Sequence, residues 1–191
     1  MSSTNAPFGM RPAFHPSGLD RASALADGIL STYSTDILKG QPVKMATGGV
    51  IQVAAAGDAF LCCFSGVEWT DTTGRRRVSN YWPANTAYQT GSCIAYFYND
   101  PNIVYEIQAA GSLAQTSIGD EADLSNTTAG STTTGLSACT LSTTLAGAGN
   151  SAQMRIINLA PYPDNAWGDS FTIVRATIAK YQFAGVAGTA I

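Results

Sequence analysis

His15 is the only histidine in these 191 residues, and histidine is the side chain whose ordinary pKa lies nearest neutrality. It stands between Phe14 and Pro16 in a proline-punctuated stretch, so a Ser-His-Asp relay would have to be assembled across an irregular arm. His15 therefore reads as a contact residue. The carboxylates fall in two groups, Asp120, Glu121 and Asp123 after Ile118-Gly119, and Asp164 and Asp169 around Asn165-Ala166-Trp167-Gly168. A facing pair of acids could cleave a glycosidic bond, and the Asp120 group could hold a hard cation through oxygen ligands. Neither group has EF-hand spacing, and surface turns and caps account for both. Cys62, Cys63, Cys93 and Cys139 include no Cys-x-x-Cys pair. The vicinal thiols lie within Phe60-Leu61-Cys62-Cys63-Phe64 and read as small buried hydrophobes. No Gly-x-Gly-x-x-Gly, Walker loop or nucleophile elbow occurs. The expectation is a protein that is not an enzyme, with no catalytic residues, no metal and no cofactor.

Binding chemistry is better represented. Trp69, Tyr81, Trp82 and Trp167 could stack on sugars, and the loops Ser79-Asn80-Tyr81-Trp82-Pro83-Ala84 and Pro161 to Asp169 carry three of them. Aromatics also dominate the centres of protein interfaces, and we favour that reading for Tyr81, Trp82 and Trp167. Arg75, Arg76 and Arg77 form the only basic cluster, just past the turn Asp71-Thr72-Thr73-Gly74. A strand would send them to alternating faces, which suits a solvated edge with salt bridges better than a phosphate-binding surface.

Composition agrees. Charged residues make up 12% of the chain, about half the usual roughly 25%. Gly, Ala, Ser and Thr fill the deficit, and a neutral polar surface is cheaper to desolvate than a charged one. The formal net charge of −3 argues against direct nucleic-acid binding. No segment approaches the roughly 18 apolar residues of a membrane span, and Met1 to Ala6 lacks the pattern of a secretory signal.

The elements that must position these residues are short and extended. Pro7, Pro12 and Pro16 hold residues 1–18 as an arm, yet Phe8, Met10 and Phe14 are anchors with no reason to sit in a solvated tail. Such an arm needs a groove, on its own domain or on a neighbour. Residues 19–35 read as an irregular lead-in to a β-rich domain spanning 19–183. Gly48-Gly49 joins Val43-Lys44-Met45 to Val50-Ile51-Gln52-Val53 as a hairpin. A strand is expected from Phe60 to Val67 and another from Ser92 to Tyr98. A half-buried strand from Ile103 to Gln108 would have its polar edge at Glu106. Further strands are expected at Met154 to Leu159 and Phe171 to Tyr181, the latter alternating Phe171, Ile173, Arg175, Thr177, Ala179 and Tyr181 on one face with Val174, Ala176 and Ile178 on the other. Residues 124–154 carry no charge, and a packed neutral loop followed by a strand from Leu136 to Leu145 is expected there. Residues 184–191 form a short apolar tail. The fold class is all-β.

Four segments together resemble a known family. They are Asn5-Ala6-Pro7-Phe8-Gly9-Met10-Arg11-Pro12, Ser79-Asn80-Tyr81-Trp82-Pro83-Ala84, Tyr98-Asn99-Asp100-Pro101 with Val104-Tyr105-Glu106-Ile107-Gln108, and Asp164-Asn165-Ala166-Trp167-Gly168-Asp169. They are similar to the head decoration, or capsid cement, proteins of tailed bacteriophages, over a stretch from the arm to about Phe183. The resemblance implies a compact β-barrel, tulip-like or jelly-roll-like domain on the outer surface of the phage head, made in the host cytoplasm. It implies the major capsid protein as partner, with self-association as a trimer or alternatively a dimer. It also makes Phe8, Met10, Arg11, Phe14 and His15 candidate capsid or subunit contacts beside Tyr81, Trp82 and Trp167. The competing readings are a carbohydrate-binding virion surface domain and a β-fold hydrolase.

Overall fold

The computed structural model describes residues 2–18, 22–147 and 149–184. Among the described residues fourteen strands follow one another: β1 (Arg11–Phe14), β2 (Ala22–Ala26), β3 (Pro42–Ala46), β4 (Val50–Val53), β5 (Cys62–Thr70), β6 (Arg76–Ser79), β7 (Ile94–Tyr98), β8 (Val104–Gln108), β9 (Glu121–Ser125), β10 (Gly130–Ser131), β11 (Leu136–Ser137), β12 (Thr140–Leu145), β13 (Met154–Leu159) and β14 (Ile173–Ile178). The one helical element among the described residues is a 3-10 turn at Gln115–Ser117. Among the described residues no helix is long and apolar enough to cross a membrane.

Two antiparallel sheets pack together as in a β-sandwich. One has the order β1-β8-β14-β13-β9-β12, the other β2-β7-β5-β3-β4 with β6 paired to β5, and β10-β11 form a small separate ribbon. A single bridge, Ala109 to Leu141, brings β12 back toward the end of β8, but no ladder closes either sheet. The barrel expectation is corrected accordingly. Between the sheets lies one core that includes Phe60, Phe64, Trp82, Tyr105, Ile107 and Leu124, each fully buried. Each such side chain contributes about 1.5–3 kcal/mol of transfer free energy.

The hairpin at Gly48-Gly49 forms as expected, because both glycines take left-handed φ values of 93° and 75° that match the twist of β3 and β4. Other boundaries move. The buried strand runs Cys62–Thr70 rather than Phe60 to Val67, and the lead-in contains an edge strand, β2. The strand expected from Leu136 to Leu145 splits in two. Ala138 N–H turns aside to the Ala129 carbonyl at 2.8 Å, and Cys139 N–H bonds the Ser137 hydroxyl at 3.0 Å. In β14, Val174, Ala176 and Ile178 on one face are buried, and of the other face Arg175 and Thr177 are half-buried while Ile173 is buried. β8 does not alternate: every residue from Val104 to Gln108 is buried, because Arg11, Tyr162 and Arg175 cover Glu106 and the chain at Thr4 and Ala6 covers Gln108.

The arm is part of this sheet. β1 lies antiparallel along β8 with Arg11 opposite Glu106, and Pro12, which cannot donate, occupies an edge strand where no partner needs its N–H. Upstream, Met10 N–H donates to the Gly40 carbonyl at 2.8 Å and its side chain is 1% exposed. Gly9 is required there: φ is +73°, and a Cβ would stand 2.8 Å from the Gly40 oxygen. Gln108 clasps the chain before it, accepting from Ala6 N–H and donating to the Thr4 carbonyl, both at 3.0 Å. Ser2 accepts from Phe171 N–H at 2.7 Å. Of the expected apolar tail, residues 185–191 lie outside the described residues.

Candidate functional site

Laying β1 beside β8 and β14 gathers one carboxylate, two guanidiniums and three aromatic rings on the outer side of the first sheet. Glu106 is the hub and is 7% exposed. Its Oε2 accepts from Arg11 Nη2 at 2.8 Å and from the Tyr162 hydroxyl, while its Oε1 is 3.3 Å from both Nε and Nη2 of Arg175. Arg11 also reaches the Tyr162 hydroxyl. Burial pushes the Glu106 carboxyl up, but the bonds from Tyr162, Arg11 and Arg175 outweigh it and hold the group below its ordinary range. The same arrangement pushes the Tyr162 phenol up, by burial and by its bond to the carboxylate.

The guanidiniums are stacked as well as paired. Arg11 Cζ sits 4.6 Å from the Phe8 ring centroid and 5.7 Å from that of Tyr162, and Arg175 Cζ sits 5.4 Å from Phe14. A ribbon results in which Phe8, Arg11, Glu106, Arg175 and Phe14 alternate ring, cation and carboxylate. Phe14 remains 44% exposed and the Arg11 side chain 50% exposed. Beyond Phe14, His15 Nε2 lies 3.0 Å from Asp100 Oδ2, and Ser17 N–H donates to its Nδ1 at 3.0 Å. That pair joins the end of the arm to the loop between β7 and β8.

The other sequence candidates are dispersed. Trp82 is 0% exposed, held between Trp69 and Tyr88 in edge-to-face contacts at 5.5 and 5.9 Å, and paired through its backbone with Ile37. Trp82 offers no surface to a second molecule, and Met10, though it completes this chain's own core, keeps only the 1% of its surface that lines a cleft beside the arm. Tyr81 is half-buried beside Asn80, whose amide ties the loop to the Thr134 carbonyl at 2.9 Å. Trp167 is half-buried in a turn fastened by Asn165, which donates to the Ala160 and Ile173 carbonyls and accepts from Ile173 N–H. A sugar-stacking platform built on these rings loses Trp82.

Most of the acids are engaged locally. Glu121 binds Arg155 at 2.5 Å and Ala152 N–H at 2.8 Å, and Asp123 accepts from Gln153 N–H. Asp169 is held below its ordinary range by the Ser2 hydroxyl and by Ala166 N–H. Among the described residues no group of three His, Cys, Asp or Glu side chains is placed to hold a metal ion. All four thiols are free and buried, and burial pushes Cys93 up to about 11 and Cys139 up to about 12. On the β5–β6 hairpin, Arg76 pairs with Glu68 at 2.6 Å and Arg77 with Asp71 at 3.0 Å, so the arginine run serves protein salt bridges.

Sequence reasoning missed Glu106, Tyr162 and Arg175 as partners of the arm. The available signal was a lone charge inside each of two otherwise uncharged strands, acidic in β8 and basic in β14. Fold and site together define an all-β, two-sheet domain with its N-terminal arm sealed into one sheet as an edge strand. No protein-family model, curated protein or solved structure matches the chain.

Proposed function

We propose that this protein is a structural virion component that binds the outer surface of an expanded bacteriophage capsid and stabilises it against internal DNA pressure. The observation that carries the reading is the ribbon of half-buried Phe8 and exposed Arg11 and Phe14, pinned by Glu106 and Arg175. Aromatic and arginine side chains are the types enriched at interface hot spots, and a ribbon ordered before binding loses little entropy on docking. The charge-poor composition supports the same reading, since little charge has to be desolvated over a wide contact. So do the four segments that resemble phage decoration proteins. Within this proposal the two sheets are a jelly-roll-like variant, the partner is the major capsid protein, and the protein self-associates as a trimer, with a dimer as the alternative. Its place is the outer surface of the head, after synthesis in the host cytoplasm, and its role is mechanical rather than catalytic.

Stabilisation would follow from linkage. A ligand that binds only the expanded lattice favours that lattice by mass action, and several modest contacts per oligomer combine through avidity. The test is co-sedimentation of the purified protein with expanded and unexpanded phage heads, followed by cryo-electron microscopy of the pellets. Saturable, symmetric occupancy of expanded heads alone is expected, with at least about a tenfold loss of affinity for Phe14→Ser. Absence of binding to expanded heads overturns the proposal, as does unchanged occupancy by the variant.

A further inference from the structure

Between the arm and the β10–β11 ribbon lies a cleft of about 230 Å³, bordered on one side by Phe8 and Arg11 of the stacked ribbon. Met10, Cys63 and Phe64 line it and are at most 1% exposed, so it reaches into the core; Pro12, Tyr98 and Leu136 complete the apolar lining. Leu136 is 45% exposed and stands at the rim, held by the bridge between its strand and Lys39.

Two cations border this cleft. Arg11 is committed to Glu106. Lys39 is exposed and has no carboxylate at ion-pair distance among the described residues. Lys39 lines the mouth of the cleft, on the same segment as Gly40, whose carbonyl holds Met10 N–H. An apolar hole with one unpaired cation at its mouth complements an apolar group carrying a negative charge beside it. The volume is below the roughly 300–1,000 Å³ of small-molecule pockets, and suits one side chain. Pro12 at the lip lacks an N–H, which disfavours entry by an added strand and leaves insertion of a side chain.

We propose that this cleft seats a single apolar anchor side chain of a partner protein, presented next to a carboxylate that pairs with Lys39. The inference takes from the capsid reading only that the occupant is a protein, and it adds the chemistry of the contact.

Amide NMR of the full chain, titrated with blocked tetrapeptides, tests it. The peptide Gly-Leu-Glu-Gly is expected to shift the amides of Met10, Lys39, Gly40 and Leu136 saturably. Gly-Ser-Glu-Gly and Gly-Leu-Lys-Gly should bind at least about fivefold more weakly, the first lacking the anchor and the second the charge. Lys39→Glu should reverse the preference between the Glu and Lys peptides, and Leu136→Asp should abolish the response; both are exposed positions, and thermal melts check that each variant folds. Equal responses to all three peptides, or shifts confined to other amides, overturn the proposal. So does saturable binding of sodium octanoate without peptide binding, which would make this a small-molecule site. Shifts of the same amides on concentrating the protein alone would mean that a second copy fills the cleft, and would also overturn it. The peptide titration needs no capsid: head binding without peptide response removes the anchor site alone, and peptide response without head binding removes the capsid reading alone.

Discussion

Glu106 is the residue on which the arm depends. A carboxylate that is 7% exposed must have its charge compensated, and two guanidiniums and a phenol do so here. Because Arg11 and Arg175 are themselves partly exposed, water screens the pairs and the net contribution stays moderate. Glu106→Gln keeps the shape but removes the charge that both arginines face. We expect a loss of about 1–3 kcal/mol in urea unfolding, with earlier protease cleavage N-terminal to Arg11. An unchanged midpoint together with unchanged cleavage would show that the cluster does not pin the arm. The sequence offered little help at this position: alternation along β8 placed Glu106 at a polar edge, and only the tertiary fold brings Arg11, Arg175 and Tyr162 over it.

At the scale of elements, the arm illustrates how an extended segment earns its place in a fold. Its prolines exclude helix and suit an edge strand, Gly9 permits close approach to Gly40, and Met10 fills a core position. Deleting residues 2–14 therefore does more than remove a contact surface. It withdraws Met10 from the core and strips β8 of a neighbour. Loss of Met10 alone is worth about 2–5 kcal/mol, and the deletion is expected to lower Tm by about 10 °C or more or to abolish the cooperative transition. Phe14→Ser, at an exposed site, is expected to stay within about 1 kcal/mol of the parent. Circular-dichroism melts of the two proteins check both statements. A deletion protein that melts like the parent would show the arm to be an appendage rather than an edge strand.

For the whole molecule, the carboxylates set the response to acid. Burial raises Glu106 and Asp58, but their hydrogen-bond and charge partners outweigh it, and Asp169 is lowered by Ser2 and Ala166. A folded-state pKa below the unfolded value means that the unfolded chain takes up protons first as pH falls. This stabilisation is complete above the ordinary carboxylate range of about 3.9–4.3 and is lost as pH drops through it toward the lower folded values. Urea midpoints are expected to hold steady from pH 7 to about 5 and to fall steeply below about 4. A flat profile between pH 5 and 3 would contradict that sign.

The sequence by itself determined the β class, the Gly48-Gly49 hairpin, the strand at β14 and the buried character of Cys62 and Cys63. These follow from local backbone preferences and period-two patterning, which act over a few residues. Tertiary structure decided that the arm lies on its own body, that Glu106 is a hub, that Trp82 and Met10 belong to the core, and that the sheets remain open. Those outcomes depend on which strands become neighbours: Arg11 and Glu106 are far apart in the chain, and only the pairing of β1 with β8 brings them together. A side chain's burial is a property of its spatial neighbours, and local sequence patterning carries little information about which neighbours those will be.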